Sequence, residues 1–302
     1  MYSKIIVGYD GSAQADDALA LGKLIAGATG ASIIAVAVFQ FDPMWGSYDV
    51  HFQDLDAELR EKLERAASSA GAEAQTVTTS SPARGLHELA EQLDADLVVL
   101  GSAQHGKAGQ IMAGSVAMSL LHGSPCSVAI APHGYAAQAA HSIAEVTVGY
   151  DGSDEARIAL AEAIELARAS GAPLKVVAVA EPAPIVYGKG AGAGAGRSEL
   201  NKAIQEIMRE RLDEALSSAP DDVRVEGTLV DGPPAESLVQ ITTEDGAVLV
   251  VGSRAYGPLR RVLLGSVSTE LVRTAPCPLI VHPRPAKAPT PTSEPAQAGS
   301  AA

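Results

Sequence analysis

The chain says the same thing twice. KIIVGYDGS at 4–12 returns as EVTVGYDGS at 145–153, and VLGS at 99–102 returns as VVGS at 250–253. GSV at 114–116 recurs at 265–267, and SPC at 124–126 as APC at 275–277. A chain that repeats over about 140 residues must fold as two like units, because each copy has to build its own core. The offset between copies is 145 − 4 = 141 at the first strand and 250 − 99 = 151 at the glycine loop. The second copy therefore gains ten residues in between, and the tract YGKGAGAGAGR at 187–197 accounts for them. So low-complexity a stretch reads as a flexible loop. These limits give domains at 1–134 and 143–283, a linker at 135–142, and a Pro/Ala/Thr/Ser-rich tail at 284–302 expected to be disordered.

Within each copy, β-branched runs alternate with helical patterns. In the second copy Ala156, Ala159, Leu160, Ala163, Ile164 and Ala167 recur at helical spacing. Ser153 stands where an N-cap belongs, and Asp154 and Glu155 follow in the first turn, where the helix dipole favours acid. The strands are nearly continuous apolar runs, as in parallel sheets covered on both faces. The pattern predicts an α/β chain of two repeated, doubly wound, five-stranded parallel sheets, Rossmann-like, with strand order 3-2-1-4-5 in each. The last strands, SVAIAP and PLIVHP, need partners for their open edges. They are expected to meet across an internal pseudo-twofold axis, and assembly into a homodimer of such chains is then open.

Composition narrows the function. A formal charge of −14, from 22 basic and 36 acidic residues, repels phosphate backbones and argues against nucleic acid. No apolar run approaches the ~20 residues of a membrane span, and the chain enters a strand at once, which points to a cytoplasmic protein. Cys126 and Cys277 each precede an apolar strand and read as structural thiols. The histidines show no metal spacing, and no residue set makes a general acid–base or nucleophile pair.

Ligands of doubly wound sheets bind beyond the carboxyl ends of the strands, where the winding reverses. In the first copy that places Asp10, Gly11, Ser12, Gly101 and Ser102 around the crevice; in the second, Asp151, Gly152, Ser153, Gly252 and Ser253. Neither loop is a Walker A sequence or a G-x-G-x-x-G turn. Each reads G-S-x-x-x-G-x7-G-S-V, ending where a helix begins. Uncompensated N–H groups at such a start favour an anion. Asp10-Gly11-Ser12 also lacks the second aspartate that haloacid-dehalogenase-type phosphatases carry two residues on.

The V-G-Y-D-G-S start, the G-S…G-S-V loop and the P-C-P-L-I-V ending resemble the universal stress protein family, in tandem form. The resemblance covers all but the linker and tail. It implies a regulatory binding module rather than an enzyme, with adenine nucleotide, ATP with magnesium, as the ligand. In the family's ATP-binding branch the loop pattern is G-x2-G-x9-G-[ST], holding phosphates. An aspartate after strand one and a valine late in strand two hold the adenosine part. By position these are Asp10, Val38, Gly101, Gly114 and Ser115, followed by Val116, in the first copy. In the second they are Asp151, Val179, Gly252, Gly265 and Ser266, followed by Val267. The second glycine of the pattern is Gln104 in one copy and Ala255 in the other, with Gly106 and Gly257 two residues on. Arg254, Arg260 and Arg261 give the second loop three cations, so the second half is expected to be the better site; the first offers Lys107 and His105. An interaction module that keeps only the fold and the dimer surface is the alternative.

One more segment stands out. FQFDPMWGSYDVHF at 39–52 holds all three phenylalanines and the only tryptophan. It reads as a loop beside the first crevice, serving as interface, lid or self-packed cover.

Overall fold

A computed structural model describes residues 1–40, 50–103, 108–138, 142–183, 193–242, 245–253 and 264–283. In the first half, β1 (Lys4–Gly8), α1 (Ala13–Thr29), β2 (Ser32–Gln40), α2 (Val50–Ala70) and β3 (Glu73–Thr79) come first. Then follow α3 (Pro82–Gln92), β4 (Leu97–Gly101), α4 (Ser115–Leu121) and β5 (Ser127–Ala131). A short helix, α5 (Tyr135–Gln138), leads to β6 (Glu145–Gly149), α6 (Asp154–Ser170), β7 (Leu174–Ala180), α7 (Ala193–Ser218) and β8 (Val225–Asp231). The chain continues through α8 (Pro234–Ile241), β9 (Ala247–Gly252), α9 (Ser266–Thr274) and β10 (Leu279–His282).

The strands form one ten-stranded sheet in the order β3-β2-β1-β4-β5-β10-β9-β6-β7-β8. Each half is parallel with the expected 3-2-1-4-5 order, and the halves join where β5 and β10 pair antiparallel. Their register is symmetric: Ala129 faces Ile280, its own repeat equivalent, with Ile130–Leu279 and Val128–Val281 on either side. The pseudo-twofold axis therefore passes between Ala129 and Ile280, and the two most apolar edges cover each other.

Alternation along each strand sends side chains to two cores. Ile5, Val7, Leu97 and Val99 join α1, α2, α6 and α7 on one face. Ile6, Val98, Leu100 and Val128 join α3, α4, α8 and α9 on the other. All six helical residues singled out in 156–167 are buried, and the Ser153 hydroxyl accepts from the Ala156 N–H at 3.2 Å.

Details emerge at three segments that the sequence left less defined. The linker carries α5, which is tied down: buried Asp17 accepts from the N–H groups of Gly134 and Ala136, both at 2.8 Å. Helix α7 begins at Ala193, inside the tract read as flexible loop, because alanines interleaved with the glycines extend the helix N-terminally. Phe39 belongs to β2 and is buried under the Arg60 guanidinium, 4.6 Å from the ring centre, while residues 50–52 already belong to α2. The remainder of that aromatic segment and the tail at 284–302 lie outside the described residues.

Candidate functional site

Each first strand ends in the same turn. Gly11 and Gly152 both sit at φ 76°, a left-handed conformation that favours glycine. The turn brings Ser12 N–H to Asp10 Oδ1 at 3.0 Å and Ser153 N–H to Asp151 Oδ1 at 2.9 Å. Each serine hydroxyl donates to the same aspartate oxygen and accepts from the first turn of the following helix. The aspartate is thereby held in place at the strand's carboxyl end.

In the first half, Asp10, Val38, Gly101, Ser102, Gly114, Ser115 and Val116 line one cleft of about 250 Å³. Ser12 lines it too, whereas Gly11, also placed around this crevice from sequence, is not on its wall. Tyr9, Gln14, Leu59, Pro82 and Leu86 also line it and were not assigned. The tyrosine was legible in principle, since G-Y-D-G-S recurs with Tyr150. Burial, and then Asp16, which accepts from its hydroxyl at 3.2 Å, push the Tyr9 phenol up to about 12. Val36, Leu86 and Leu100 of this lining are buried and Asp10 is exposed; Asp10 is its charged side chain, with no Lys or Arg among the described residues.

The helix starts differ in how they are capped. Helices α1, α3 and α6 are capped by Ser12, Ser81 and Ser153. Helices α4 and α9 start after Gly114 and Gly265 with no side-chain cap, so their first N–H groups are left to another acceptor.

The structure gives the loop glycines a second reason. A Cβ on Gly101 would lie 2.0 Å from the Gln14 carbonyl oxygen, and one on Gly252 would lie 2.6 Å from that of Glu155. These glycines let α1 and α6 pack against β4 and β9, a helix–strand contact that sequence reasoning assigned to ligand approach. Ser102 is buried; its hydroxyl donates to Ala131 O at 2.8 Å and accepts from Met112 N–H at 3.4 Å. Ser253 is fully buried, and its N–H donates to His282 O at 2.8 Å. Both serines anchor the loop to the last strand of their half.

In the second half, Asp151, Val179 and Gly252 end or border β6, β7 and β9, and Gly265, Ser266 and Val267 begin α9. Ser268 ties α9 to β9 by donating to Gly252 O at 3.0 Å. Arg211 of α7 lies against Gly152 and donates to Asp151 O at 2.6 Å. The first half has Leu59 and Lys62 beside Gly11 instead. Arg254, Arg260, Arg261, Ala255, Gly257, Gln104, His105, Gly106 and Lys107 lie outside the described residues.

A Ser–His–carboxylate group sits elsewhere. His282 Nδ1 lies 2.9 Å from Ser127 Oγ and 3.1 Å from Glu162 Oε2. One ring nitrogen faces both partners, whereas a nucleophilic triad needs a separate nitrogen for each, and Ser127 is buried. This is a structural lock.

Two doubly wound units in tandem, each with a glycine at the end of its fourth strand, define a class of fused α/β proteins. The sequence matches the universal stress protein family over residues 1–132 and again over 143–283, and the chain belongs to that family. It is 30% identical over 293 residues to a universal stress protein of Mycobacterium tuberculosis, covering 92% of this chain and 96% of that one. A single-unit relative from Thermus aquaticus is 36% identical over 137 residues, 45% of this chain and 96% of its own. Among solved structures, a universal stress protein from Archaeoglobus fulgidus superposes with a TM-score of 0.64 at 20% identity, covering 92% of this chain and 95% of that one. That likeness confirms the fold.

Proposed function

We propose that the chain is an adenine-nucleotide-binding regulatory module, with ATP and its magnesium as the ligand and no turnover required for its role. The observation that carries this reading is the convergence of the assigned first-half residues on one cleft whose exit is an uncapped helix start. An apolar floor of Val36, Val38, Leu86 and Leu100 suits a purine, and Asp10 at the rim suits ribose or amino donors. The Gly114 and Gly265 corners suit phosphate oxygens. Magnesium would then be carried with the phosphates, as with other nucleotide sites that supply few protein ligands.

Both halves have this arrangement in sequence, and the second is the tighter. The described lining of the first cleft lacks a cation, while the second loop contains Arg254, Arg260 and Arg261. No described helix is long and apolar enough to cross a membrane, in keeping with a cytoplasmic role.

The test is calorimetric titration of Mg-ATP into the whole chain and into Ser266→Asp and Ser115→Asp variants. A carboxylate at either corner repels phosphate but suits a helix first turn, so the fold survives. Saturable binding is expected, with the tighter step lost in Ser266→Asp. No heat at millimolar Mg-ATP would overturn the reading and leave the fold as an interaction surface.

A further inference from the structure

The glycine loop of the first half is held in part by the second half. Ser102 and Ala113 form an antiparallel bridge, and Ala103 N–H donates to Met112 O at 2.6 Å, closing the neck of the loop. On its other side the neck faces α9. Ile111 N–H donates to Ala275 O at 2.8 Å, and Ala113 N–H donates to Val272 O at 2.7 Å. The reason is local: Val272 O would ordinarily accept from residue 276, but that residue is Pro276, which has no N–H. The carbonyl is left free at the helix end, and the loop of the other half takes it. Ile111 is fully buried in the same core cluster as Leu271, Val272 and Ala275.

Helix α9 thus has two ends with two duties. Its N-terminus, at Gly265 and Ser266, is the phosphate corner assigned to the second site. Its C-terminal end positions residues 111–113, which lead into Gly114 and Ser115 on the wall of the first cleft. The helix has 9 residues, so the two ends lie only about 13 Å apart.

We propose that α9 couples the two sites, so that ligand at the second raises affinity at the first, with Ile111 as the positioning residue. This rests on the nucleotide reading above. An anion bound at the α9 N-terminus orders the whole short helix, and with it the two carbonyls that hold the loop. A second ligand then finds the first cleft already ordered and loses less conformational freedom on binding. Linkage makes the effect reciprocal.

The experiment compares the weaker Mg-ATP step of the wild-type chain with the remaining site of Ser266→Asp, by calorimetry. The first site should bind at least about fivefold more weakly in Ser266→Asp, although residue 266 belongs to the other site. Ile111→Ala should remove that difference, and Ile111→Val should restore it; melting temperatures of both check folding. Equal first-site affinity with and without the second ligand would overturn the coupling while leaving nucleotide binding intact. If the wild-type chain takes up no Mg-ATP, the nucleotide reading fails, and the mechanical link is decided without ligand. Ser268→Ala, which frees α9 from Gly252 O, should then speed amide hydrogen exchange at Ile111 and Ala113 about fivefold or more while β1 amides are unchanged. Unchanged exchange at those two amides would overturn it.

Discussion

Replacing Gly101 by alanine separates the two reasons a glycine can stand in this loop. The added Cβ would lie 2.0 Å from Gln14 O and 2.6 Å from Gln14 C, both backbone atoms in the first turn of α1. Real Cβ atoms essentially never approach within 3.0 Å, so helix and strand must part by at least 1.0 Å. Helix α1 cannot yield by a rotamer change, since Ser12 caps its start and Asp17 fixes it to the linker. A forced backbone shift of that size costs about 3 kcal/mol, the upper range for overpacking. The melting temperature should fall by roughly 6–10 °C, since each kcal/mol moves a chain of this size by a few degrees. Gly252→Ala needs a shift of only 3.0 − 2.6 = 0.4 Å and should cost less, about 1–2 kcal/mol. Gly114→Ala meets nothing closer than the Ala103 Cβ at 3.8 Å and sits at φ −75°, open to any residue. Its stability should stay within about 0.5 kcal/mol of wild type, while its methyl group intrudes on the phosphate corner and weakens Mg-ATP binding. Urea unfolding and calorimetry read the two effects apart. A Gly101→Ala protein as stable as wild type would refute the packing argument.

Two further outcomes follow from buried polar groups. Asp17 is 3% exposed and accepts from two backbone N–H groups, so Asp17→Ala strands both donors and should cost about 2–4 kcal/mol in urea unfolding; a loss under about 1 kcal/mol would show that water replaces the carboxylate. Asp96 is pulled two ways: burial raises its pKa, but hydrogen bonds from Ser3 Oγ, Ser3 N–H and Lys4 N–H outweigh that and leave it below the ordinary carboxylate value. A depressed folded pKa means the stabilisation is complete above about pH 4 and is lost as pH falls through the folded value, so Asp96→Asn should flatten the acid limb of stability against pH, and an unchanged limb would count against it.

The sequence carried what is periodic and repeated. Strand order, the Ser153 cap and the buried face of α6 follow from patterns within one copy, while the grouping of Asp10, Val38, Gly101, Gly114 and Ser115 was what the family resemblance implied. What it did not carry depends on contacts between distant segments. That Gly101 abuts Gln14, or that Val272 O meets Ala113 N–H, is a matter of three-dimensional register between elements dozens of residues apart. Low-complexity composition misled in the tract 187–197, because alanine's helix propensity prevailed over glycine's cost once a long amphipathic helix followed. The linker's clamp, Asp17, has no repeat equivalent: the matching residue is Ile158, which is exposed.

Such unmatched residues show what fusion of the two halves allows. In a symmetric dimer any side chain near the axis appears twice, whereas here the two sides have diverged. Tyr2 donates to Glu162 Oε1 at 2.6 Å, and Glu162 Oε2 meets His282 Nδ1, which also meets Ser127 Oγ. Their repeat equivalents are Ile143, Leu21, Ala131 and Pro278, so this polar lock exists once, spanning both halves beside the β5–β10 seam. Burial first, and then the Glu162 carboxylate, hold the Tyr2 phenol well above its ordinary pKa, so it stays a donor. Glu162→Leu installs the residue of the other half but strands the Tyr2 hydroxyl and leaves His282 Nδ1 with Ser127 alone, for an expected loss of about 2–3 kcal/mol. Adding Tyr2→Phe removes one stranded hydroxyl, so the double variant should be less destabilised than the sum of the singles by about 1 kcal/mol or more. A urea-unfolding cycle on the whole chain measures that difference. Strict additivity would mean that the two groups act independently and that the seam is held by the apolar strands alone.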